Sequence, residues 1–134
     1  MALLFDTSAL ANLIIERGSK ALGLTKGNFA LDLTGYETGN ALWRLCCLDR
    51  KITQEEASAF LRAATDFLGL LEQITFADLD ANQILELAIS KRITFYDASY
   101  IVSAQTKRLT LVTDDEDLST VANAYVMTQR STEI

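Results

Sequence analysis

Residues 109–115 read Leu-Thr-Leu-Val-Thr-Asp-Asp, and this stretch decides the fold. Its first five residues form an apolar, β-branched run that predicts a buried strand, and two acidic residues follow at once. The same order occurs at the N-terminus, where the apolar residues 3–5 are followed by Asp6. Both segments therefore predict short buried strands that end in carboxylates.

Three further strands are predicted, at residues 29–33, 72–76 and 125–126. Between the strands, apolar residues recur at spacings of three and four, which indicates amphipathic helices. Residues of capping type mark the helix starts: Thr7 with Ser8, Thr34, Thr53 with Glu56, Asp78 or Asp80, and Asp97. These helices are predicted to end near Gly18, Leu48, Leu70, Arg92 and Arg108, and shorter helices are predicted at residues 19–24 and 116–122.

The alternation of strands and helices defines the predicted fold class. Most of the strands are short and continuously apolar, which is typical of a parallel sheet with helices on both faces. The prediction is an α/β fold, a three-layer α/β/α sandwich with a short central parallel sheet. Because the chain has no proline, no repeat and no low-complexity tract, residues 1–134 are predicted to form one domain.

Composition limits where the protein acts. The chain is 49% apolar and 22% charged, which suits a globular core. Its apolar runs are far shorter than the roughly 20 residues that cross a bilayer, and no cationic segment precedes an apolar one, as a secretory signal requires. We therefore expect a cytoplasmic protein without membrane contact.

The available side chains limit the chemistry. The sequence contains no histidine, which excludes Ser-His-Asp catalysis and histidine-ligated zinc. The two cysteines, Cys46 and Cys47, are adjacent and provide neither a long-loop disulfide nor a zinc site. Carboxylates, hydroxyl groups and lysines remain as candidates for catalysis.

Acidic residues are predicted to cluster at one edge of the sheet. In an open parallel sheet the reactive crevice lies beyond the carboxyl ends of the strands, and Asp6, Glu37, Asp97 and the pair at 114–115 all follow strands or begin helices. Their sequence neighbours are neutral, so their mutual repulsion calls for a cation. Mg²⁺ or Mn²⁺ is the natural partner of such oxygen ligands.

Each acid also has a simpler interpretation as a helix cap or surface charge. That interpretation is preferred for Asp32, Asp49, Asp66, Asp78 and Asp80. It is less suited to Asp6, because the following residues Thr7 and Ser8 could cap the first helix themselves. Asn40 could be a surface residue or could orient Glu37 from the same helix face. Thr113 is either a β-former or a hydroxyl group that supports the acids.

The four acidic segments resemble those of the PIN-domain ribonucleases, and within that family the small single-domain VapC-type toxins. The resemblance rests on residues 5–10 (Phe-Asp-Thr-Ser-Ala-Leu), 36–42 (Tyr-Glu-Thr-Gly-Asn-Ala-Leu), 95–100 (Phe-Tyr-Asp-Ala-Ser-Tyr) and 113–118 (Thr-Asp-Asp-Glu-Asp-Leu). Each segment alone is short, but their order and separations match the family over nearly the whole chain.

The resemblance implies an endoribonuclease dependent on Mg²⁺ or Mn²⁺, which acts as a toxin held inactive by a small antitoxin protein. It implies that the metal-binding and catalytic acids are Asp6, Glu37, Asp97 and Asp115, with Asn40 matching the asparagine that commonly follows the family's glutamate. Asp115 is preferred to Asp114 because of its spacing to Leu118. Whether Asp114 or Asp117 could substitute for Asp115 stays open.

The net charge of −6 departs from the usual basic character of RNA-binding proteins. Residues 1–67 carry seven basic and eight acidic residues, against five and ten in residues 68–134. An RNA-binding surface is therefore predicted in the first half, with these candidates: Arg17, Lys20, Lys26, Arg44, Arg50 and Lys51. A homodimer formed partly through residues 43–48 would combine two such sets.

Two other functions remain open from the sequence. A Mg²⁺-dependent phosphatase could use an aspartate after the first strand, but this chain has serine rather than a second aspartate at position 8. A catalytically idle interaction module of the same fold would need none of the four acids, although all four are present.

Overall fold

The structure, a computed structural model that describes residues 1–134, is built on a five-stranded sheet in which every neighbouring pair is parallel. The strands are β1 (Leu3–Phe5), β2 (Phe29–Leu31), β3 (Glu72–Ile74), β4 (Thr110–Val112) and β5 (Thr128–Gln129), in the spatial order β3-β2-β1-β4-β5. The chain runs outward from β1 to β3 and then returns to β4 on the other side of β1. The strand order therefore reverses between β1 and β4, where an open parallel sheet forms its crevice.

Six α-helices cover the sheet: α1 (Thr7–Arg17), α2 (Leu33–Trp43), α3 (Gln54–Leu70), α4 (Ala81–Lys91), α5 (Phe95–Lys107) and α6 (Glu116–Ala122). A π-helical turn at Arg44–Leu48 extends α2, and 3-10 turns lie at Gly18–Leu24, Phe76–Asp78 and Ser131–Glu133. No helix is long and apolar enough to cross a membrane.

Two apolar clusters, one on each face of the sheet, confirm the predicted three-layer arrangement. Successive strand side chains point to opposite faces, so the neighbours Leu4 and Phe5 belong to different clusters. Phe5 packs with Leu10 of α1 and Phe67 of α3. Leu4 packs with residues of α5 and α6, Ile101 and Leu118 among them.

Several predicted boundaries were wrong. The second strand ends at Leu31 because Asp32, not Thr34, caps α2: its carboxylate accepts a hydrogen bond from the Leu33 N–H at 2.9 Å. The last strand lies at Thr128–Gln129 instead of residues 125–126. Tyr125 and Val126 form a turn instead, since both of their N–H groups donate to the Ala122 carbonyl.

The other predicted helix starts are close to those observed. Thr53 and Glu56 form the expected capping box, and α3 ends at Leu70. Asp80 caps α4. α5 begins two residues earlier than predicted, because Thr94 caps it and places Asp97 third in the helix.

Candidate active site

Asp6 lies directly after β1, at the point where the strand order reverses. Its Oδ1 accepts hydrogen bonds from the Ala9 N–H at 2.8 Å and the Ser8 hydroxyl at 2.7 Å. Its Oδ2 accepts one from the Thr113 hydroxyl at 2.5 Å. Asp6 is therefore the N-cap of α1, and the prediction that Thr7 and Ser8 would take that role was wrong. Those hydroxyls instead bind carboxylates, Thr7 that of Glu37 and Ser8 that of Asp6.

The carboxyl group of Asp6 is buried, with only 4% of the residue exposed. Burial raises its pKa to about 6, against an ordinary value of 3.8, although the three hydrogen bonds act in the opposite direction. The charge of Asp114 raises the pKa slightly further. A buried acid with no cationic partner is unusual, and at neutral pH it carries an uncompensated charge.

Glu37, in the second turn of α2, is held by two hydroxyl groups from other helices. Its Oε1 accepts hydrogen bonds from Thr7 and Tyr100, each at 2.7 Å, while its Oε2 has no donor in the protein. The Tyr100 hydroxyl also contacts that of Thr34 at 2.7 Å. Asn40, proposed from the sequence to orient Glu37, is exposed and its side chain makes no hydrogen bond.

Sequence reasoning missed Tyr100 as a residue of this site. Tyr100 is 2% exposed, and burial together with the charge of Glu37 holds its pKa well above the usual range, so it stays a proton donor. A signal was available, since a tyrosine within a buried stretch of helix needs a partner for its hydroxyl. Tyr100 lies three residues after Asp97, within the stretch 98–104 of α5 that is buried throughout.

Asp97 and Asp115 face Glu37 from two further elements. Burial raises the pKa of the half-buried Asp97, and the negative charges of Asp115 and Glu37 raise it further. The Thr94 hydroxyl beside the Asp97 carboxylate acts in the opposite direction and lowers that pKa. Asp115 is exposed and caps α6 through the Asp117 and Leu118 N–H groups, at 2.9 and 3.2 Å. Three carboxylates thus repel one another across the crevice.

Asp114 has a different environment from its neighbour. Its two oxygens accept hydrogen bonds from the Ser131 N–H at 2.8 Å and the Asn12 side chain at 2.7 Å. Although burial alone would raise its pKa, these hydrogen bonds leave that pKa below its ordinary value. Asp114 therefore ties the loop after β4 to α1 and to the last turn of the chain.

Thr113 connects the two strands at the crevice. It lies one residue beyond β4 and is buried. Its hydroxyl donates to Asp6 and accepts a hydrogen bond from the Asp115 N–H at 3.1 Å. The hydroxyl contact considered from the sequence is thus present.

The carboxylates of the crevice are chemically suited to a hard divalent cation. No three acidic or cysteine side chains, however, lie close enough together to form a ligand cluster. The ligands would all be carboxylate oxygens, the type that Mg²⁺ and Mn²⁺ prefer. No lysine or arginine offsets them, because the only salt bridge in the chain joins Arg130 to Glu116. The raised pKa of Asp97 reflects its burial first and then the repulsion by Asp115 and Glu37, which a cation would offset.

The fold is that of a PIN domain. The family model for the PIN domain matches residues 3–124, so the chain belongs to the PIN-domain family. A crystal structure of PAE2754 from Pyrobaculum aerophilum superposes with a TM-score of 0.81 at 27% sequence identity, over 99% of this chain and 92% of that one.

Two curated proteins of the same organism bear the VapC name, which supports the VapC-type resemblance. Exonuclease VapC9 is 39% identical over 88 residues, which are 66% of this chain and 62% of VapC9. Ribonuclease VapC3 is 29% identical over 124 residues, which are 89% of this chain and 93% of VapC3.

The raised pKa of Asp6 predicts a pH-dependent stability of the metal-free protein. Because the folded pKa of about 6 exceeds the unfolded value, this group contributes stability below about pH 4 that is lost as pH rises through 6. The loss is on the order of 3 kcal/mol. Asp6→Asn should therefore gain about that much relative to wild type between pH 4 and 7.5, measured by urea unfolding in EDTA. A difference that stays constant with pH would contradict the raised pKa.

Proposed function

We propose that this chain is an endoribonuclease dependent on Mg²⁺ or Mn²⁺ and the toxin of a VapBC-type toxin–antitoxin pair. The single observation that carries the proposal is an acidic crevice without a cation: Asp97 lies among the charges of Glu37 and Asp115, and Asp6 is buried where the strand order reverses. Its PIN family membership and the nuclease names of two relatives support it.

The chemistry that a divalent ion supplies when bound is a lowered pKa of coordinated water and stabilisation of charge on a phosphodiester. In the proposed site Asp6 and Asp97 would be direct ligands, and Asp115 would bind directly or through water. Glu37 would bind as well or would activate the attacking water. Its Oε2 suits proton acceptance, because Thr7 and Tyr100 occupy only Oε1.

The hydroxyl groups around these acids would position them for the reaction. Thr113 and Ser8 fix the Asp6 carboxylate, and Tyr100 fixes that of Glu37. Preorganised groups need no reorientation when charge develops, which is the main electrostatic contribution of an active site. The proposal therefore gives Thr113 a supporting role; Asn40 is left without a contact to Glu37.

One of the relatives is named an exonuclease, and that activity is the second candidate. A circular RNA separates the two candidates, since only an endonuclease can open it. We expect the purified protein with Mn²⁺ to cut a circular RNA and EDTA to stop the cut. Degradation of linear RNA alone would favour the exonuclease, and no cleavage of a broad RNA panel would favour the idle interaction module.

Toxicity and the antitoxin are tested in cells. We expect expression of wild type alone to slow growth and coexpression of a small cognate antitoxin to restore it. The upstream reading frame is where such a partner gene is expected. Harmless expression of a well-folded wild-type protein would contradict the toxin assignment.

The RNA-binding surface and the homodimer remain part of the proposal. Of the six basic residues named from the sequence, Arg17 donates to the Ile134 carbonyl at 2.6 Å and has a structural contact. The other five are exposed and make no salt bridge. Arg44, Arg50 and Lys51 lie together in the connection between α2 and α3, beside the exposed Trp43 and Leu48, so a dimer through this connection would pool their charge.

Metal binding gives a prediction independent of activity. Adding Mg²⁺ or Mn²⁺ should raise the melting temperature at pH 7.5, because an ion that binds only the folded state stabilises it by mass action. Asp6→Asn combined with Asp97→Asn should abolish the shift. The matched control is Asp80→Asn, which changes an exposed acid capping α4. An equal shift in wild type and the double variant would place the ion elsewhere.

A further inference from the structure

A cleft lined largely by aromatic rings opens beside the acidic crevice. It has a volume of about 230 Å³, and its aromatic lining residues are Tyr36, Phe76, Phe95 and Tyr96, with Leu79 and Asp32 also in the lining. We call it the aromatic cleft. Nothing in the proposed hydrolysis uses it, so it needs an explanation of its own.

The aromatic cleft is continuous with the proposed active site. Tyr36 immediately precedes Glu37 near the start of α2, and Tyr96 immediately precedes Asp97 near the start of α5. Neighbouring residues of a helix share its surface at about 100° to each other. Each helix therefore presents one tyrosine to the cleft and one carboxylate to the crevice.

The aromatic rings are unusually open to solvent. Tyr36 is 82% exposed, and Phe76 and Tyr96 are each 56% exposed. Phe76 and Phe95 contact each other with ring centroids 6.3 Å apart and planes tilted by 47°. Contiguous exposed apolar surface of this kind commonly marks a binding site.

The polar groups of the cleft are largely satisfied by the protein. The Ser99 hydroxyl donates to the Phe95 carbonyl at 2.8 Å. Asp32 accepts from the N–H groups of Leu33 and Phe76, at 2.9 and 3.3 Å. What the cleft offers a ligand is therefore chiefly flat aromatic surface.

We propose that the aromatic cleft is a subsite that stacks one unpaired nucleobase of RNA next to the phosphodiester held in the crevice. This inference rests on the proposed function and adds to it the recognition of single-stranded substrate. Aromatic side chains that stack bases are the usual means of binding single strands without regard to sequence.

Charge and size select a base as the occupant. Asp32, the only charged residue in the lining of the cleft, repels a phosphate, so an uncharged part of the RNA must enter. The volume is below the roughly 300–1,000 Å³ of pockets for drug-sized ligands, which suits one ring system. An amphipathic partner helix would need a longer groove for anchors spaced over two turns.

The first test measures binding of a short, unstructured, fluorescently labelled RNA by anisotropy, in low salt with Ca²⁺ in place of Mn²⁺, and a gel verifies that the RNA stays intact. Tyr36→Ala and Tyr96→Ala should each weaken binding by about tenfold, as expected for the loss of one stacking contact. Tyr36→Phe and Tyr96→Phe keep the ring and should bind like wild type. Ile89→Ala, which removes an exposed apolar side chain outside the cleft, is the matched control and should have no effect.

A second test changes the RNA. An abasic nucleotide scanned along the strand should weaken wild-type binding at one position by a similar factor. At that position Tyr36→Ala should cause little further loss, because the two changes remove the same contact. Additive losses at every position would overturn the inference.

The outcomes separate this inference from the proposed function. Wild type that cuts RNA, with the two alanine variants binding RNA as wild type does, would overturn the subsite alone. Wild type whose RNA binding depends on both tyrosines but that cuts nothing would overturn the nuclease proposal alone. If wild type binds no RNA, the subsite is overturned. It is also overturned if an alanine variant binds RNA like wild type but changes its oligomeric state in sedimentation, because the cleft would then be an interface between copies of the chain.

Discussion

Asp6→Asn and Asp97→Asn are each expected to lower the rate of RNA cleavage by at least about two orders of magnitude at saturating Mn²⁺. Each change removes a charged ligand from the proposed metal site and with it the activation of water. Asn keeps a cap oxygen for the Ala9 N–H at position 6, so the fold should survive. The measurement is the initial rate on a defined RNA.

Asp80→Asn is the control for these variants, because it makes the same chemical change at an exposed helix cap away from the crevice. It should cleave like wild type. Circular dichroism of all three proteins establishes that they are folded. If either crevice variant keeps more than about a tenth of the wild-type rate, that residue is not a ligand.

Asp115→Asn is expected to remove most cleavage, whereas Asp114→Asn and Asp117→Asn should keep substantial activity. Asn caps helices as well as Asp does, so Asp115→Asn should leave α6 intact and also relieve repulsion on Asp97. Asp114→Asn replaces one acceptor oxygen by an amide that cannot accept from Asn12 or Ser131. It should therefore cost about 1–2 kcal/mol of stability instead of activity.

The three variants are assayed side by side for cleavage and for urea unfolding. A dead but stable Asp114→Asn protein would shift the last acidic position by one residue. Full activity in all three would remove the fourth carboxylate from the site. Equal small stability changes, with no difference in cleavage, are the result that capping and surface charge alone would give.

The fold was largely predictable, because its main determinants are local. Buried parallel strands such as Leu3–Phe5 are short apolar runs. Helix starts such as Thr53 with Glu56 can be predicted from a capping motif of four residues. The position of β5 was not predictable in this way. Tyr125 and Val126 have strand-like composition, yet the end of α6 draws both of their N–H groups to the Ala122 carbonyl.

The candidate site was predictable in its acids but not in the contacts that hold them. Asp6, Glu37 and the pair at 114–115 were proposed from their place after strands, and Asp97 from its place at a helix start. The choice of Asp115 over Asp114 came from the spacing of the family motif to Leu118. Their partners Thr7, Tyr100 and Thr113 lie 30 to 107 residues away from the carboxylates they bind. Such pairings depend on packing across the sheet, which no local pattern records. For the same reason, the sequence did not predict that Asp6 caps α1.

The hydroxyl groups hold only half of the carboxylates. Asp6 and Glu37 are fixed by hydroxyls from other elements, whereas the only hydroxyl beside the Asp97 carboxylate is that of Thr94, at the start of its own helix. Selectivity between ions of different radius requires a cavity of fixed size and ligand number. A site in which Asp97 is held only from within its own helix adjusts to the ion instead. We therefore expect Mg²⁺, Mn²⁺ and the larger Ca²⁺ to compete for the same place with affinities of similar order, whatever their differing ability to support cleavage.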